Sequence, residues 1–115
     1  MMKTTLRSGF TLLEIMIVVT MIGFLAGLAI PAFMKSRRAT QAARCVSNMG
    51  QIENAKERWA METFGDVGTP CNSTEITMYF KRGFPACPAS GSYTVNPIGS
   101  NVVCSIGDPH VLGKK

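Results

Sequence analysis

The sequence predicts an α+β fold in which a long N-terminal helix packs on a small, disulfide-stabilised β-hairpin. Three observations support this fold class: an unbroken apolar run over residues 10–34, an apolar stripe at helical spacing beyond it, and a β-prone C-terminal third. The first half of the helix is predicted to span a membrane, and the second half to be amphipathic. Residues 35–115 form one small globular domain, and a domain of that size needs additional fastening.

The apolar run from Phe10 to Met34 contains a single charged residue, Glu14. As a helix it would be roughly 37 Å long, which is enough to cross a hydrocarbon layer of about 30 Å. A conventional cleaved secretory signal has a shorter apolar core. A plain signal anchor would fit the length but gives no reason for Glu14. Because an unpaired carboxylate in a bilayer costs at least a few kcal/mol, Glu14 is predicted to be functional.

The residues around this carboxylate form a spaced pattern. Lys3 and Arg7 precede Gly9, the apolar run starts at Phe10, and Glu14 follows four residues later. This N-terminus resembles the leader and mature start of type IV prepilins and type II secretion pseudopilins. The resemblance covers about the first 35 residues and couples several positions at fixed spacing.

The resemblance implies a processing and assembly scheme. Residues 1–9 would be a leader, removed by a membrane prepilin peptidase that cuts after Gly9 and methylates the new amine at Phe10. Glu14 would meet the N-terminal amine of a neighbouring subunit in a filament. Pairing with the amine of its own chain is the alternative, and the two are not exclusive.

Three further positions bear on helix packing and bending. Gly23 and Gly27 form a G-x-x-x-G spacing, which lets helices approach closely in lipid. Pro31 cannot donate a hydrogen bond to the carbonyl of Gly27, so a kink or a loosened turn is predicted there. The resemblance implies that such a segment can partly melt in assembled pili; a fixed bend is the alternative.

The formal net charge is +5, and a basic cluster follows the apolar run. It comprises Lys35, Arg37, Arg38 and Arg44. These residues are predicted to be solvated or to contact lipid headgroups, with DNA binding a disfavoured possibility. A positive-inside count alone would reverse the chain, whereas cutting at Gly9 requires a cytoplasmic N-terminus. We therefore expect a single-pass inner-membrane protein with residues 35–115 outside, later in an extracellular pilus or a periplasmic pseudopilus.

Beyond the membrane segment the helix is predicted to continue to about Phe64, with charged residues such as Glu53 and Lys56 lying outside its apolar stripe. The stripe consists of Cys45, Met49, Ile52, Ala55 and Trp59. A second, short helix is predicted from a capping box over residues 72–75 to about Phe80. Two strands, at residues 92–95 and 102–106, would form the hairpin.

Four cysteines lie beyond the apolar run, and an even number there indicates an oxidising compartment with one or two disulfides. The preferred pairs are Cys87–Cys104 and Cys45–Cys71, although three pairings are possible. The spacings do not indicate a metal site, and no cofactor is predicted. His110 is the only histidine and is interpreted as part of a terminal turn, with no basis for catalysis.

These features predict a structural filament subunit rather than an enzyme. Its expected partners are further copies and related minor pilins, the prepilin peptidase and methyltransferase, an inner-membrane assembly platform with its ATPase, and lipid. Pilus formation, type II secretion and DNA uptake remain open, as do major and minor subunit roles. Asp108 is the only carboxylate side chain after Glu75, too few for the calcium loop of major pseudopilins. The alternative is a signal-anchored monomer with a small disulfide-bonded periplasmic binding domain.

Overall fold

The computed structural model describes residues 2 and 8–113 of the chain. The basic residues Lys3 and Arg7 of the predicted leader lie outside the described residues. The chain divides into two compact units, Met1–Ser36 and Arg37–Lys115.

The first unit contains the N-terminal part of helix α1, which runs over Leu12–Thr63. This part is long and apolar enough to cross a membrane, judged by length and composition, and its large apolar side chains are exposed. The predicted long apolar helix is therefore present. Pro31 lies inside α1 without interrupting its helical conformation. The predicted kink stays a prediction.

The second unit is built around the C-terminal part of α1. The predicted apolar stripe is confirmed: its first four members are buried, and Trp59 is partly buried against the same core. These residues recur every three or four positions, so an α-helix presents them on one side. The remaining buried apolar members of the core are Cys71, Ile76, Cys87, Val102 and Cys104.

The short second helix is also present. Helix α2 covers Ser73–Ile76 and continues as a 3-10 turn over Thr77–Tyr79. The backbone N–H of Asn72 donates to Oε2 of Glu75 at 2.9 Å, which is one half of the predicted capping box. Ile76 is completely buried, so this helix closes one side of the core.

A two-stranded antiparallel sheet completes the unit. Strands β1, Tyr93–Thr94, and β2, Val103–Cys104, pair with Tyr93 opposite Cys104. The strands are shorter than predicted. One further backbone bond, from the Ser105 N–H to the Ser92 carbonyl at 2.9 Å, extends the pairing. The α+β class with a long N-terminal helix and a small C-terminal sheet is confirmed.

A buried ion pair joins α1 to the segment leading into β2. The Lys56 side chain is only 2% exposed, and its Nζ donates to both Glu53 carboxylate oxygens at 3.3 Å. The same Nζ donates to the Ser100 carbonyl at 2.6 Å, and Glu53 accepts a hydrogen bond from the Val102 N–H. Placing both charged residues outside the buried face was wrong, because main-chain groups of the C-terminal segment supply their partners.

Candidate functional sites: the assembly segment and the cysteine cluster

The predicted cleavage site lies in exposed, non-helical chain just before α1. Phe10 is 83% exposed, and the helix begins only at Leu12. The Thr11 hydroxyl oxygen accepts a hydrogen bond from the Glu14 backbone N–H at 3.2 Å, so Thr11 caps the helix. This cap was not predicted from the sequence, although a Thr followed three residues later by Glu is the ordinary signature of such a cap.

Glu14 is exposed in the first turn of α1. Within residues 2 and 8–113, no hydrogen bond or ion pair involves its carboxylate. The N-terminal end of a helix carries a partial positive charge, which favours an anionic side chain at this position. The Glu14 carboxylate is thus exposed and has no partner among the described residues.

Two glycines of the apolar helix leave space for a neighbouring helix. At Gly23 and Gly27, an added Cβ would meet no atom within 4 Å. The Thr20 hydroxyl group is satisfied inside the helix, because it donates to the carbonyls of Met16 and Ile17 at 3.0 and 2.8 Å. Among the residues described here, Glu14 is therefore the charge in this apolar segment that needs an external partner.

A second constellation lies in the globular unit. The sulfur atoms of Cys45, Cys87 and Cys104 and a ring nitrogen of His110 all lie within 4.8 Å of one another. All four residues are buried. Helix α1 supplies Cys45, the turn before β1 supplies Cys87, and β2 supplies Cys104. The His110 Nδ1 lies 3.6 Å from the Cys87 Sγ.

The structure does not show the predicted disulfides. All four cysteines are free thiols in the structure, so neither Cys87–Cys104 nor Cys45–Cys71 is bonded. Cys71 is not a member of the cluster; it is buried near Glu75 and Lys56. Cys71 lies outside the cluster because the buried face of α1 turns Cys45 toward Cys87 and Cys104, whereas the loop after the helix carries Cys71 to another part of the core.

The surroundings of Cys45 and Cys87 shift the pKa values of these two thiols in opposite directions. Burial raises the pKa of Cys45 to about 12. Burial also acts to raise the pKa of Cys87, but hydrogen bonds from the backbone of Ala89 and Gly91 and from the other two cluster thiols lower it to about 6. Cys87 thus ionises at a lower pH than Cys45, and the thiolate is the form of cysteine that attacks electrophiles and binds metals.

The turn that carries Cys87 is tightly packed. The Ser90 N–H donates to the Cys87 carbonyl at 3.1 Å, and Ser90 has a left-handed φ of 65°. A Cβ added at Gly91 would lie 2.8 Å from the Cys104 sulfur, so only glycine permits this approach. Neither the cluster nor the place of His110 in it was predicted from the sequence, because the spacing of cysteines along the chain does not show which of them meet in the fold.

The fold and the first of these sites define a membrane-anchored α+β protein with one apolar N-terminal helix. A family model, the prokaryotic N-terminal methylation motif, matches residues 5–30. The type II secretion system core protein G of Escherichia coli K12 is 37% identical over 112 residues, which cover 84% of this chain and 77% of that protein. The chain belongs to the family of type IV prepilins and type II secretion pseudopilins.

Fimbrial relatives match over a shorter region. The type IV major fimbrial protein FimA of Dichelobacter nodosus is 40% identical over 67 residues, which cover 58% of this chain and 42% of that protein. A fimbrial protein of Pseudomonas aeruginosa is 43% identical over 56 residues, covering 49% of this chain and 36% of its own length. The chain thus spans about two fifths of these fimbrial proteins. No solved structure is significantly similar to it.

Proposed function

We propose that this protein is a structural subunit of a type IV pilus-like filament. It is made as a precursor, cut after Gly9, methylated at Phe10 and held in the filament through Glu14. One observation supports this most directly: an exposed carboxylate without a partner among the described residues stands at the start of an apolar helix.

The charges of the Phe10 amine and the Glu14 carboxylate explain why these residues lie close together at the start of the helix. A cut after Gly9 creates a cationic amine at Phe10, close to the hydrocarbon layer that the helix enters. Neither the amine nor the Glu14 carboxylate is stable in lipid without a partner. An ion pair between the amine of one subunit and the carboxylate of the next removes both penalties, and it fixes how far one helix is displaced along another.

The same proposal sets the orientation and the partners. The cut requires a cytoplasmic N-terminus, so the globular unit lies on the far side of the inner membrane. A prepilin peptidase and methyltransferase acts first, and an assembly platform with its ATPase then adds the subunit to copies of itself and related pilins. Relatives named for fimbriae and for type II secretion support both a pilus and a pseudopilus; a competence filament is a further possibility.

Processing is tested by expressing the full chain in cells with and without an active prepilin peptidase. Mass spectrometry of the N-terminus should find methylated Phe10 only when the peptidase is present. Gly9→Val should block the cut, because a branched side chain replaces hydrogen at the residue before the scissile bond. An intact, unmethylated N-terminus in wild-type protein with active peptidase present would contradict the proposal, and favours the signal-anchored monomer.

Assembly is tested separately with Glu14→Gln, which keeps the size of the side chain and removes its charge. Cleavage should persist, while the amount of protein recovered in sheared filaments should fall at least tenfold. Ile15→Leu is the matched control on the neighbouring position and should assemble normally. If Glu14→Gln enters filaments as well as wild type, the pairing between subunits is wrong even where processing is as expected.

A further inference from the structure

We propose that Cys45, Cys87, Cys104 and His110 bind one zinc ion. Three thiolates and one imidazole are an ordinary donor set for a structural zinc site. The four side chains converge from four separate segments of the globular unit, and all are buried. The proposal goes beyond filament assembly and does not depend on it.

The distances fit tetrahedral coordination. With Zn–S near 2.3 Å and Zn–N near 2.0 Å, neighbouring sulfurs stand about 3.8 Å apart and a sulfur and nitrogen about 3.5 Å apart. The Cys87 Sγ and the His110 Nδ1 are 3.6 Å apart, and no two donor atoms of the cluster exceed 4.8 Å. Shifts of about 1 Å or less would therefore complete the site.

A disulfide accounts for this cluster less well than a metal ion. A disulfide joins two sulfurs at about 2.05 Å, and the cysteines here are free. A disulfide between any two of the three cysteines would leave the third thiol and His110 buried without a bond to sulfur or metal. A single zinc ion uses all four donors at once.

Surrounding groups support the sulfur atoms as outer-shell partners support metal ligands. The backbone of Ala89 and of Gly91 hydrogen-bonds to the Cys87 sulfur. The Tyr93 hydroxyl group hydrogen-bonds with Cys45 and also accepts from the Asn48 side-chain amide at 3.2 Å. Such contacts orient thiolates and spread their negative charge.

The expected role of the ion is structural. All four coordination positions are filled by the protein, so no position remains open for a substrate. The ion would join α1, the turn before β1, β2 and the C-terminal segment, which supplies the fastening expected of a small domain. It replaces the disulfides that the cysteine count suggested.

The full chain, purified in detergent with reductant, is the material for the test. Elemental analysis after zinc loading and buffer exchange should find one zinc per chain. Cobalt(II), used alone as a probe, should give the intense thiolate charge-transfer band and the visible bands of a tetrahedral site. Loss of an outer-shell contact weakens a metal site about 10- to 100-fold; His110→Gln, which removes a donor, should weaken zinc binding by at least about 100-fold.

Cys71→Ser is the matched control, because Cys71 is a buried cysteine outside the cluster. It should keep one zinc per chain and the cobalt spectrum, whereas Cys87→Ser and Cys104→Ser should lose both. His110 lies outside the 52-residue helix α1, which dominates the helical signal, so circular dichroism of His110→Gln should show the same helix content as wild type. That variant separates loss of metal from loss of folding.

Three results would overturn the proposal. One is wild-type protein that takes up no zinc or cobalt above the level of Cys104→Ser. Another is folded His110→Gln that binds zinc as tightly as wild type. The third concerns native protein that is purified from cells and never reduced. If its mass is lower by two hydrogens and Cys87 or Cys104 does not react with a thiol reagent, a disulfide is present in place of the ion.

Discussion

The buried ion pair between Glu53 and Lys56 permits a quantitative prediction. Lys56→Met keeps the apolar stem but removes a charge that is 2% exposed and that also donates to the Ser100 carbonyl. The Glu53 carboxylate, 12% exposed, then remains without its cation. Breaking a buried pair in this way costs about 3–5 kcal/mol, a large part of the 5–15 kcal/mol typical of a whole domain.

The assay is urea unfolding of the full chain in detergent micelles, followed by the fluorescence of Trp59, the only tryptophan. With a slope near 1.5 kcal/mol per M, the midpoint should fall by about 2–3 M. The double variant Lys56→Met with Glu53→Gln should lose less free energy of unfolding than the two single variants lose in sum. The difference should be about 2 kcal/mol, because the two side chains interact.

Arg44→Met is the control for this experiment, since Arg44 is an exposed cation on the same helix. Its effect on the free energy of unfolding should stay within about 0.5 kcal/mol. If Lys56→Met lowers the free energy of unfolding no more than Arg44→Met does, the ion pair between Glu53 and Lys56 does not stabilise the globular unit.

Three further predictions concern the core and the cluster. Ile52→Ala should destabilise the unit by about 2–5 kcal/mol in the same urea assay, because Ile52 is completely buried. Gly91→Ala should destabilise it by about 1–3 kcal/mol and lower zinc affinity, because its Cβ would lie 2.8 Å from the Cys104 sulfur. In reduced protein from which a chelator has removed metal, the free energy of unfolding should rise from pH 6 to 9. Over this range Cys87, with its pKa lowered to about 6, is ionised in the folded state but still protonated in the unfolded chain. The free energy of unfolding should fall from pH 9 to 12, because the pKa of Cys45 is raised to about 12 and the unfolded chain ionises first.

Each of these has a control. Met61→Ala removes an exposed apolar side chain of the same helix and should be nearly neutral. Gly113→Ala places its Cβ in open space and should leave zinc binding unchanged. Cys87→Ser should remove the rise in stability between pH 6 and 9; an unchanged rise would assign it to other groups.

The features that could be predicted from sequence are those encoded by neighbouring residues. The apolar run, the position of Glu14 and the stripe from Cys45 to Trp59 are all visible as local composition or period. The short helix after Asn72 follows from capping chemistry. These signals depend on residues within a few turns of one another, so they can be recognised without knowing the tertiary fold.

What only the tertiary structure decided is which distant side chains meet. The sequence by itself determined a membrane helix with one carboxylate, an amphipathic continuation and a small hairpin. It did not determine that Cys45 faces Cys87 and Cys104 beside His110, or that Lys56 is buried. Those outcomes depend on how the loops carry the C-terminal segment back across α1, and cysteine order along the chain contains no record of that path.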